Sequence, residues 1–250
     1  MTAGENTTRK ILPYVAAWFI IWALLFEFLL PVNRFLPAPS VLLRSFGDLW
    51  RDYNFGANLL SSVSVIYVSL AVSFFLLKYL RNVFLSGKGI LFNILLSLEW
   101  FAEFVPGIII GMLLIFWFPQ SDYTELIFIF LLVFTSSSIS LFKLRKSVNK
   151  DYRDAGRSLG LKGRQLSLVE YNSVLPKLIA SMMKLHFYAW TMLIIFEFIN
   201  AAFGIGNVLR QALEYRDLSA FTASMVIIGI TIYLGTLLLR YLESKFFSWD

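Results

Sequence analysis

Long apolar stretches, each of about the length that crosses a lipid bilayer, dominate the hydrophobic pattern of this chain. About 20 residues of helix span the ~30 Å hydrocarbon core of a membrane. The pattern therefore predicts an all-α polytopic membrane protein, a single transmembrane domain over residues 1–250 with about six transmembrane helices. The predicted spans are 11–30, 59–79, 90–118, 124–142, 179–199 and 221–241.

Two of these stretches depart from a simple span. The third is too long for one straight crossing and contains Pro106 beside Gly107. Because proline lacks the backbone N–H and crowds the preceding turn, we expect the helix to break there. The first stretch follows Arg9 and Lys10, as in a signal peptide, but its apolar run is longer and no small-residue cleavage pattern follows. We therefore expect a span there too.

Composition supports a membrane protein and limits its chemistry. Hydrophobic residues make up 58% of the chain and charged residues 15%, with a mean hydropathy of +0.70. There is no cysteine and one histidine, so we expect neither a disulfide nor a metal site. The hydroxyl-rich run TSSSIS at 135–140 has no general base nearby in sequence, and serines in a span usually serve helix packing. We therefore expect no enzyme activity in this chain.

The distribution of basic residues predicts the orientation. With the N-terminus in the cytoplasm, 17 Lys and Arg residues fall on the inside and five on the outside. This asymmetry is typical of membrane proteins and places both termini in the cytoplasm. The net charge of +6 is explained by this topology and by contact with anionic membrane lipids. We therefore expect no nucleic-acid partner.

A charged, glycine-containing segment, DYRDAGRSLGLKGRQ at 151–165, interrupts the apolar pattern within a cytoplasmic loop at 143–178. Tyr152, Ala155 and Leu159 recur at three- and four-residue spacing, so a short helix carries them on one face. Gly160 can supply the left-handed residue that ends this helix.

The rest of the loop predicts a second short helix. Gly163 permits a corner, Gln165–Val174 can form the helix, and Pro176 fits the start of the fifth span. Two short helices at an angle form a knob at the membrane surface, on which a cytoplasmic partner can push.

At these residues the chain resembles the membrane permease subunits of ATP-binding-cassette importers. Their signature, Glu-Ala-Ala, three residues, Gly and a later Leu-Pro, stands here as DAGRSLG at 154–160 with Leu175-Pro176. Asp154 replaces the signature Glu, Gly156 replaces the second Ala, and Asn172-Ser173 occupy the usual Leu-Pro place.

The resemblance covers nearly the whole chain and looks closest to the nitrate, sulfonate, taurine and thiamine-precursor branch of that family. LPAPSVLLRSF at 36–46 is similar to the segment after the branch's first span. VPGIIIGMLLIFWF at 105–118 resembles its third span, and FINAAFGIGNVLRQA at 198–212 resembles the loop before its last span.

The resemblance implies a coupling helix that sits in a groove of a separate ATPase subunit. The residues it implies for this contact are Tyr152, Asp154, Ala155, Gly156, Leu159, Gly160 and Leu161. It also implies a bacterial inner-membrane location, ATPase subunits inside, a solute-binding protein outside, and a second permease that is either another copy or a paralogous chain. No G-x-x-x-x-G-K-[ST] motif occurs, so we expect no cofactor in this chain and ATP in the partner.

Four acidic residues fall within the apolar stretches, with no Lys or Arg at comparable depth: Glu27, Glu99, Glu103 and Glu197. A carboxyl group at membrane depth normally faces the bundle interior or a cavity, although Glu99 and Glu103 can also be hydrated at the end of their span. Glu99, Glu103, Pro106 and Glu197 are the candidate pathway residues.

These carboxyl groups predict a neutral or cationic nitrogenous solute, such as a thiamine-precursor-like ring. In the resembled branch the position of Glu103 is often Arg. The alternative is a permease for an oxyanion such as nitrate, a sulfonate or taurine. A stand-alone secondary transporter is a further alternative, although the two halves show no convincing repeat.

Overall fold

The computed structural model describes residues 3–30, 35–86, 89–119, 123–145, 148, 150–200 and 203–246. Within these ranges the chain is helical and contains no strand, which confirms the all-α fold. The helices are α1 Ala3–Ala23, followed by the π-helical turn Leu24–Leu29, α2 Pro39–Asp52, α3 Phe55–Ser86, α4 Ile90–Phe104, α5 Gly107–Trp117, α6 Thr124–Arg145, α7 Lys150–Ser158, α8 Arg164–Asn200, α9 Ile205–Glu214 and α10 Leu218–Phe246.

Four helices of the described chain are long and apolar enough to cross a membrane: Phe55–Leu85, Thr124–Leu144, Arg164–Asn200 and Leu218–Lys245. They contain the predicted spans two, four, five and six. Two shorter apolar segments, Pro13–Leu29 and Gly107–Trp117, lie in the first and third predicted spans. The protein is therefore a polytopic membrane protein.

The chain divides into two compact units. The first consists of Met1–Gly56 with Val208–Gly229, and the second of Ala57–Asn207 with Ile230–Asp250.

Hydrogen bonds at the starts of α2 and α10 connect the segments of the first unit. The backbone N–H of Ser40, in the first turn of α2, donates to the carboxylate of Glu27 at 3.3 Å. Asp217 accepts hydrogen bonds from the Ala220 N–H at 2.9 Å and the Tyr53 hydroxyl at 3.1 Å, so it caps α10 and connects it to the end of α2. Burial first, and then the charge of Asp217, raises the pKa of Tyr53 to about 12.

Helices α6 and α8 form the central pair of the second unit. A buried cluster around the first half of α8 includes Tyr171, Val174 and Leu178, which pack with Leu77 of α3 and Leu141 of α6. This packing explains why the predicted boundary at Pro176 is wrong.

Helix α8 is one helix of 37 residues that passes through Pro176, and the predicted second short helix at Gln165–Val174 is its first part. An interior proline costs about 3 kcal/mol. Buried side chains on both sides of it pack against α3 and α6, and this packing holds the helix continuous in spite of that cost. The loop predicted at 143–178 therefore becomes helical again at Arg164.

The predicted break in the third apolar stretch is confirmed. Helix α4 ends at Phe104, and α5 begins at Gly107, directly after Pro106. At Gly111 a Cβ atom would lie 3.0 Å from both Phe128 and Phe196, whose rings stack at 4.7 Å. The absence of a side chain at Gly111 therefore allows α5 to pack closely against α6 and α8.

Candidate functional site

Helix α7 ends as its sequence predicts. Gly160 has φ +77°, its N–H donates to the carbonyl of Arg157 at 2.9 Å, and the N–H of Leu161 donates to the carbonyl of Gly156 at 3.0 Å. These two bonds define a Schellman motif, which satisfies the carbonyl groups left open at a helix end. Gly163, with φ +52°, makes the second turn before α8.

The face predicted for partner contact is exposed in this chain. Tyr152 is 57% exposed and Leu159 is 79% exposed, and Ala155 lies between them on the same side of α7. Asp154 and Gly160 are exposed beside this face. Large apolar side chains that are exposed to this extent on a short polar helix are typical of a contact surface. We call Tyr152, Ala155 and Leu159 the exposed face of α7.

Two of the predicted contact residues lie elsewhere. Gly156 is buried, and a Cβ atom there would lie 2.9 Å from Cδ1 of Leu166 at the start of α8. Leu161 is half-buried, and its Cδ1 lies 3.8 Å from the same Cβ position. Gly156 therefore allows α7 to approach α8 closely, which corrects its assignment to the contact face.

An ion pair that was missed in the sequence joins α7 to α8. Nε of Arg153 donates to Oε1 of Glu170 at 2.6 Å, and the Glu170 side chain is only 8% exposed. Arg164, at the start of α8, also lies over the ring of Tyr79 at 5.7 Å. The residues of the ion pair lie 17 positions apart on two helices, so no helical spacing could reveal them.

The structure describes the side chains of two of the candidate pathway residues, Pro106 and Glu197. Pro106 is exposed at the break between α4 and α5. The side chains of Glu99 and Glu103 lie outside the described residues.

Glu197 instead lies in a closed network near the end of α8, with no exposed surface. Its Oε1 accepts a hydrogen bond from the Ser62 hydroxyl at 2.6 Å, and its Oε2 accepts one from the Gly206 N–H at 2.8 Å. Ser62 Oγ accepts from the Ile205 N–H at 3.0 Å, and Asn58 Oδ1 accepts from the Gly204 N–H at 2.8 Å.

Three side chains therefore bind three successive N–H groups at the start of α9, which would otherwise lack helical partners. Asn58 and Ser62 were missed in the sequence. Their four-residue spacing on α3 is a weak signal by itself. The glycines are essential here, because a Cβ atom at Gly206 would lie 2.3 Å from the carbonyl oxygen of Ile194. Glu197 thus anchors the turn between α8 and α9 and does not line an open cavity.

The four long apolar helices define the class, a multi-pass α-helical membrane protein. Residues 83–247 match the family described as the binding-protein-dependent transport system inner membrane component. The chain belongs to this family, the permease subunits of ATP-binding-cassette importers.

Two relatives resemble this chain over 146 residues. The taurine transport system permease protein TauC of Escherichia coli (strain K12) is 27% identical over 58% of this chain and 53% of its own length. A Bacillus subtilis (strain 168) protein, SsuC, carries the name of an aliphatic sulfonates transport permease and is 24% identical over the same shares. The chain thus spans about half the length of the curated relatives it matches.

Proposed function

We propose that this chain is the permease subunit of an ATP-driven importer, and that the exposed face of α7 contacts a separate ATPase. The observation that carries the proposal is this apolar face on a short helix, closed by the turn at Gly160 and joined to α8 by the Arg153–Glu170 ion pair. Contact with a partner would remove Tyr152 and Leu159 from water. The ion pair would pass a displacement of α7 to α8.

The membership of the family supports the assembly that we propose around this chain. ATPase subunits bind ATP on the cytoplasmic side, and a solute-binding protein delivers the solute from outside. The chain itself needs no cofactor and performs no catalysis. The distribution of Lys and Arg supports cytoplasmic termini in a bacterial inner membrane.

The second permease in the assembly is either another copy or a paralogous chain. The degenerate signature DAGRSLG supports a paralogous partner with a fuller motif. Mass measurement of the purified complex decides this point, since two copies of this chain without another permease would exclude the paralogue.

A small organic sulfonate is the solute class that we propose. The names of both relatives refer to taurine or aliphatic sulfonates. The prediction of a nitrogenous solute depended on four carboxyl groups, and two of these support it less. Glu27 and Glu197 each accept a hydrogen bond from a backbone N–H at the start of a short helix, which gives them a structural role.

ATP hydrolysis by the assembled complex tests the contact at α7. Leu159→Asp and Gly160→Trp should abolish solute-stimulated hydrolysis or prevent co-purification of the ATPase, while the permease remains folded. Leu213→Asp is a matched control, because Leu213 is an exposed leucine of α9, on the predicted outer side. Unchanged stimulation and assembly in both α7 variants would contradict the assignment.

A further inference from the structure

The hydroxyl-rich run of α6 borders two neighbouring cavities in the second unit. One cavity, of about 140 Å³, lies at the break between α4 and α5 and is lined by Gly107, Thr135, Ser136 and Tyr188 among others. The other, also about 140 Å³, lies on the far side of Thr135 and includes Ser138. Thr135 and Leu131 line both cavities.

Helix packing explains only part of this run. Ser140 behaves as a packing serine, since its hydroxyl bonds to the carbonyl of Ser136 at 3.0 Å and to Ser181 Oγ of α8 at 2.8 Å. Ser137 and Ser138 both have a buried hydroxyl with no hydrogen-bond partner within the described chain, but only Ser138 lines one of these two cavities. A buried hydroxyl without a partner is costly, and a ligand or water in the cavity would satisfy that of Ser138.

The cavity at the break has the composition of a site for a small polar group. Its polar side chains are the hydroxyls of Thr135, Ser136 and Tyr188, and the rest of its wall is apolar. The Tyr188 hydroxyl lies 3.9 Å from the position that a Cβ atom would take at Gly107. A few placed hydrogen-bonding groups in an apolar wall are typical of small-molecule sites. The volume equals roughly four or five water molecules at ~30 Å³ each.

Close helix packing fixes the wall of the cavity at the break. The close packing of Gly111 against Phe128 and Phe196 fixes α5 to α6 and α8 one turn beyond the break. No Asp, Glu, Lys or Arg belongs to either cavity among the described residues. The hydroxyl groups of this wall can donate hydrogen bonds to an acceptor-rich solute.

We propose that Thr135, Ser136 and Tyr188 form a solute subsite that hydrogen-bonds an oxyanion group of a small organic anion, and that Ser138 continues the route along α6. The proposal rests on the function proposed above. It assigns the hydroxyl run of α6 to solute passage.

The natural absence of cysteine makes the proposal directly testable. Thr135→Cys, Ser136→Cys and Ser138→Cys are introduced one at a time into the assembled importer in membrane vesicles. Each thiol is exposed to two water-soluble methanethiosulfonate reagents of similar size, one bearing a sulfonate and the other a quaternary ammonium group. Ser137→Cys is the matched control, because Ser137 is 1% exposed and lines neither cavity.

We expect positions 135 and 136 to react with the water-soluble reagents, position 138 to react more slowly, and position 137 to remain unreactive. The sulfonate reagent should react at least as fast as the ammonium reagent at 135 and 136. Labelling only by a lipid-soluble maleimide would place the cavity against lipid and overturn the proposal. Equal labelling at 137 and 136, or a clear preference for the ammonium reagent, would also overturn it.

Uptake of labelled taurine provides the second measurement. Tyr188→Phe and Ser136→Ala should each raise KM by roughly tenfold, the effect of one lost hydrogen bond to a charged group, while Ser137→Ala leaves KM unchanged. An unchanged KM in both variants would contradict the subsite. If the wild-type importer takes up neither taurine nor an aliphatic sulfonate, the proposed solute class fails, and the labelling pattern still decides the subsite.

Discussion

The two ends of α8 differ in how far the chain itself supplies the contacts of the neighbouring segments. At its start, the helix is joined to α7 by the Arg153–Glu170 ion pair and by close packing at Gly156, and α7 leaves Tyr152 and Leu159 exposed. At its other end, the buried carboxyl group of Glu197 and two side chains of α3 bind every N–H from Gly204 to Gly206. The hydrogen bonds of the turn after α8 are therefore made within the chain, whereas the apolar face of α7 stays exposed.

This difference assigns different roles to the two ends of α8. The turn after α8 has fixed geometry within the chain, whereas α7 has an apolar surface that a partner can cover. Helix α8 is continuous between them over 37 residues, about 55 Å at 1.5 Å per residue. A rigid element of this length can carry a displacement from the partner side to the turn.

The largest expected effect is at Gly206. Gly206→Ala places a Cβ atom 2.3 Å from a backbone oxygen and 2.6 Å from a backbone nitrogen, neither of which can move as a side chain does. We expect a loss of more than about 4 kcal/mol in the free energy of unfolding. Gly160→Ala meets no atom within 4 Å and should cost about 1–2 kcal/mol for its left-handed backbone. Thermal unfolding in detergent measures both, and equal costs would contradict the comparison.

Two substitutions of Glu197 test whether its hydrogen bonds stabilise the fold. Glu197→Ala leaves the Gly206 N–H without its partner and should destabilise the protein by about 1–3 kcal/mol for each buried group left unpaired. Glu197→Gln should be much milder, because its amide oxygen can accept from Gly206. Its amide nitrogen can donate to Ser62, whose hydroxyl can turn to the carbonyl of Asn58 at 3.2 Å. Equal melting temperatures for the Ala and Gln variants would exclude this role.

Reversal of the ion pair tests the connection at the other end. Arg153→Glu should lower the amount of solute transported per ATP hydrolysed, because α7 loses its bond to α8. The single variant should also lower the free energy of unfolding by about 1–3 kcal/mol, because it leaves the nearly buried carboxylate of Glu170 without its partner. The double variant Arg153→Glu with Glu170→Arg should restore the transport ratio. A double variant as uncoupled as the single one would show that the pairing has no part in coupling.

The smallest effect is expected in the first unit, at Asp217. Burial alone would raise the pKa of Asp217, but hydrogen bonds from Ala220, Ser219 and Tyr53 outweigh burial and lower it. The carboxylate therefore stabilises the fold above the unfolded pKa of ~3.9, and this contribution is lost as pH falls through the folded pKa. Asp217→Asn should cost about 1 kcal/mol or less at neutral pH and flatten the acid side of the stability profile.

The raised pKa of Tyr53 has the opposite effect on the pH dependence of stability. Its contribution is complete below pH 10 and is lost as pH rises toward 12. Tyr53→Phe should remove this alkaline loss, and an unchanged alkaline profile would contradict the Tyr53–Asp217 bond.

The sequence predicted those features that depend on local pattern. The apolar stretches, the break at Pro106 and the turn at Gly160 each follow from a run or a residue type. Within the described residues, four of the six predicted spans lie in helices long and apolar enough to cross a membrane, and both the break and the turn are present. The course of α8 through Pro176 could not be predicted in this way, since burial among distant residues outweighs the local preference of proline. The binding partners of Glu197 were equally hidden, because Ser62 lies 135 positions away.

Cross-linking from position 159 tests the central claim most directly. Leu159→Cys, in this naturally cysteine-free chain, is coupled to a short photoactivatable cross-linker in the assembled importer, with Asn172→Cys, an exposed position on α8, as the control. We predict a covalent product between Leu159→Cys and the ATPase subunit, and little or none from Asn172→Cys. Efficient modification at position 159 without an ATPase product would contradict the proposal that the exposed face of α7 contacts the ATPase.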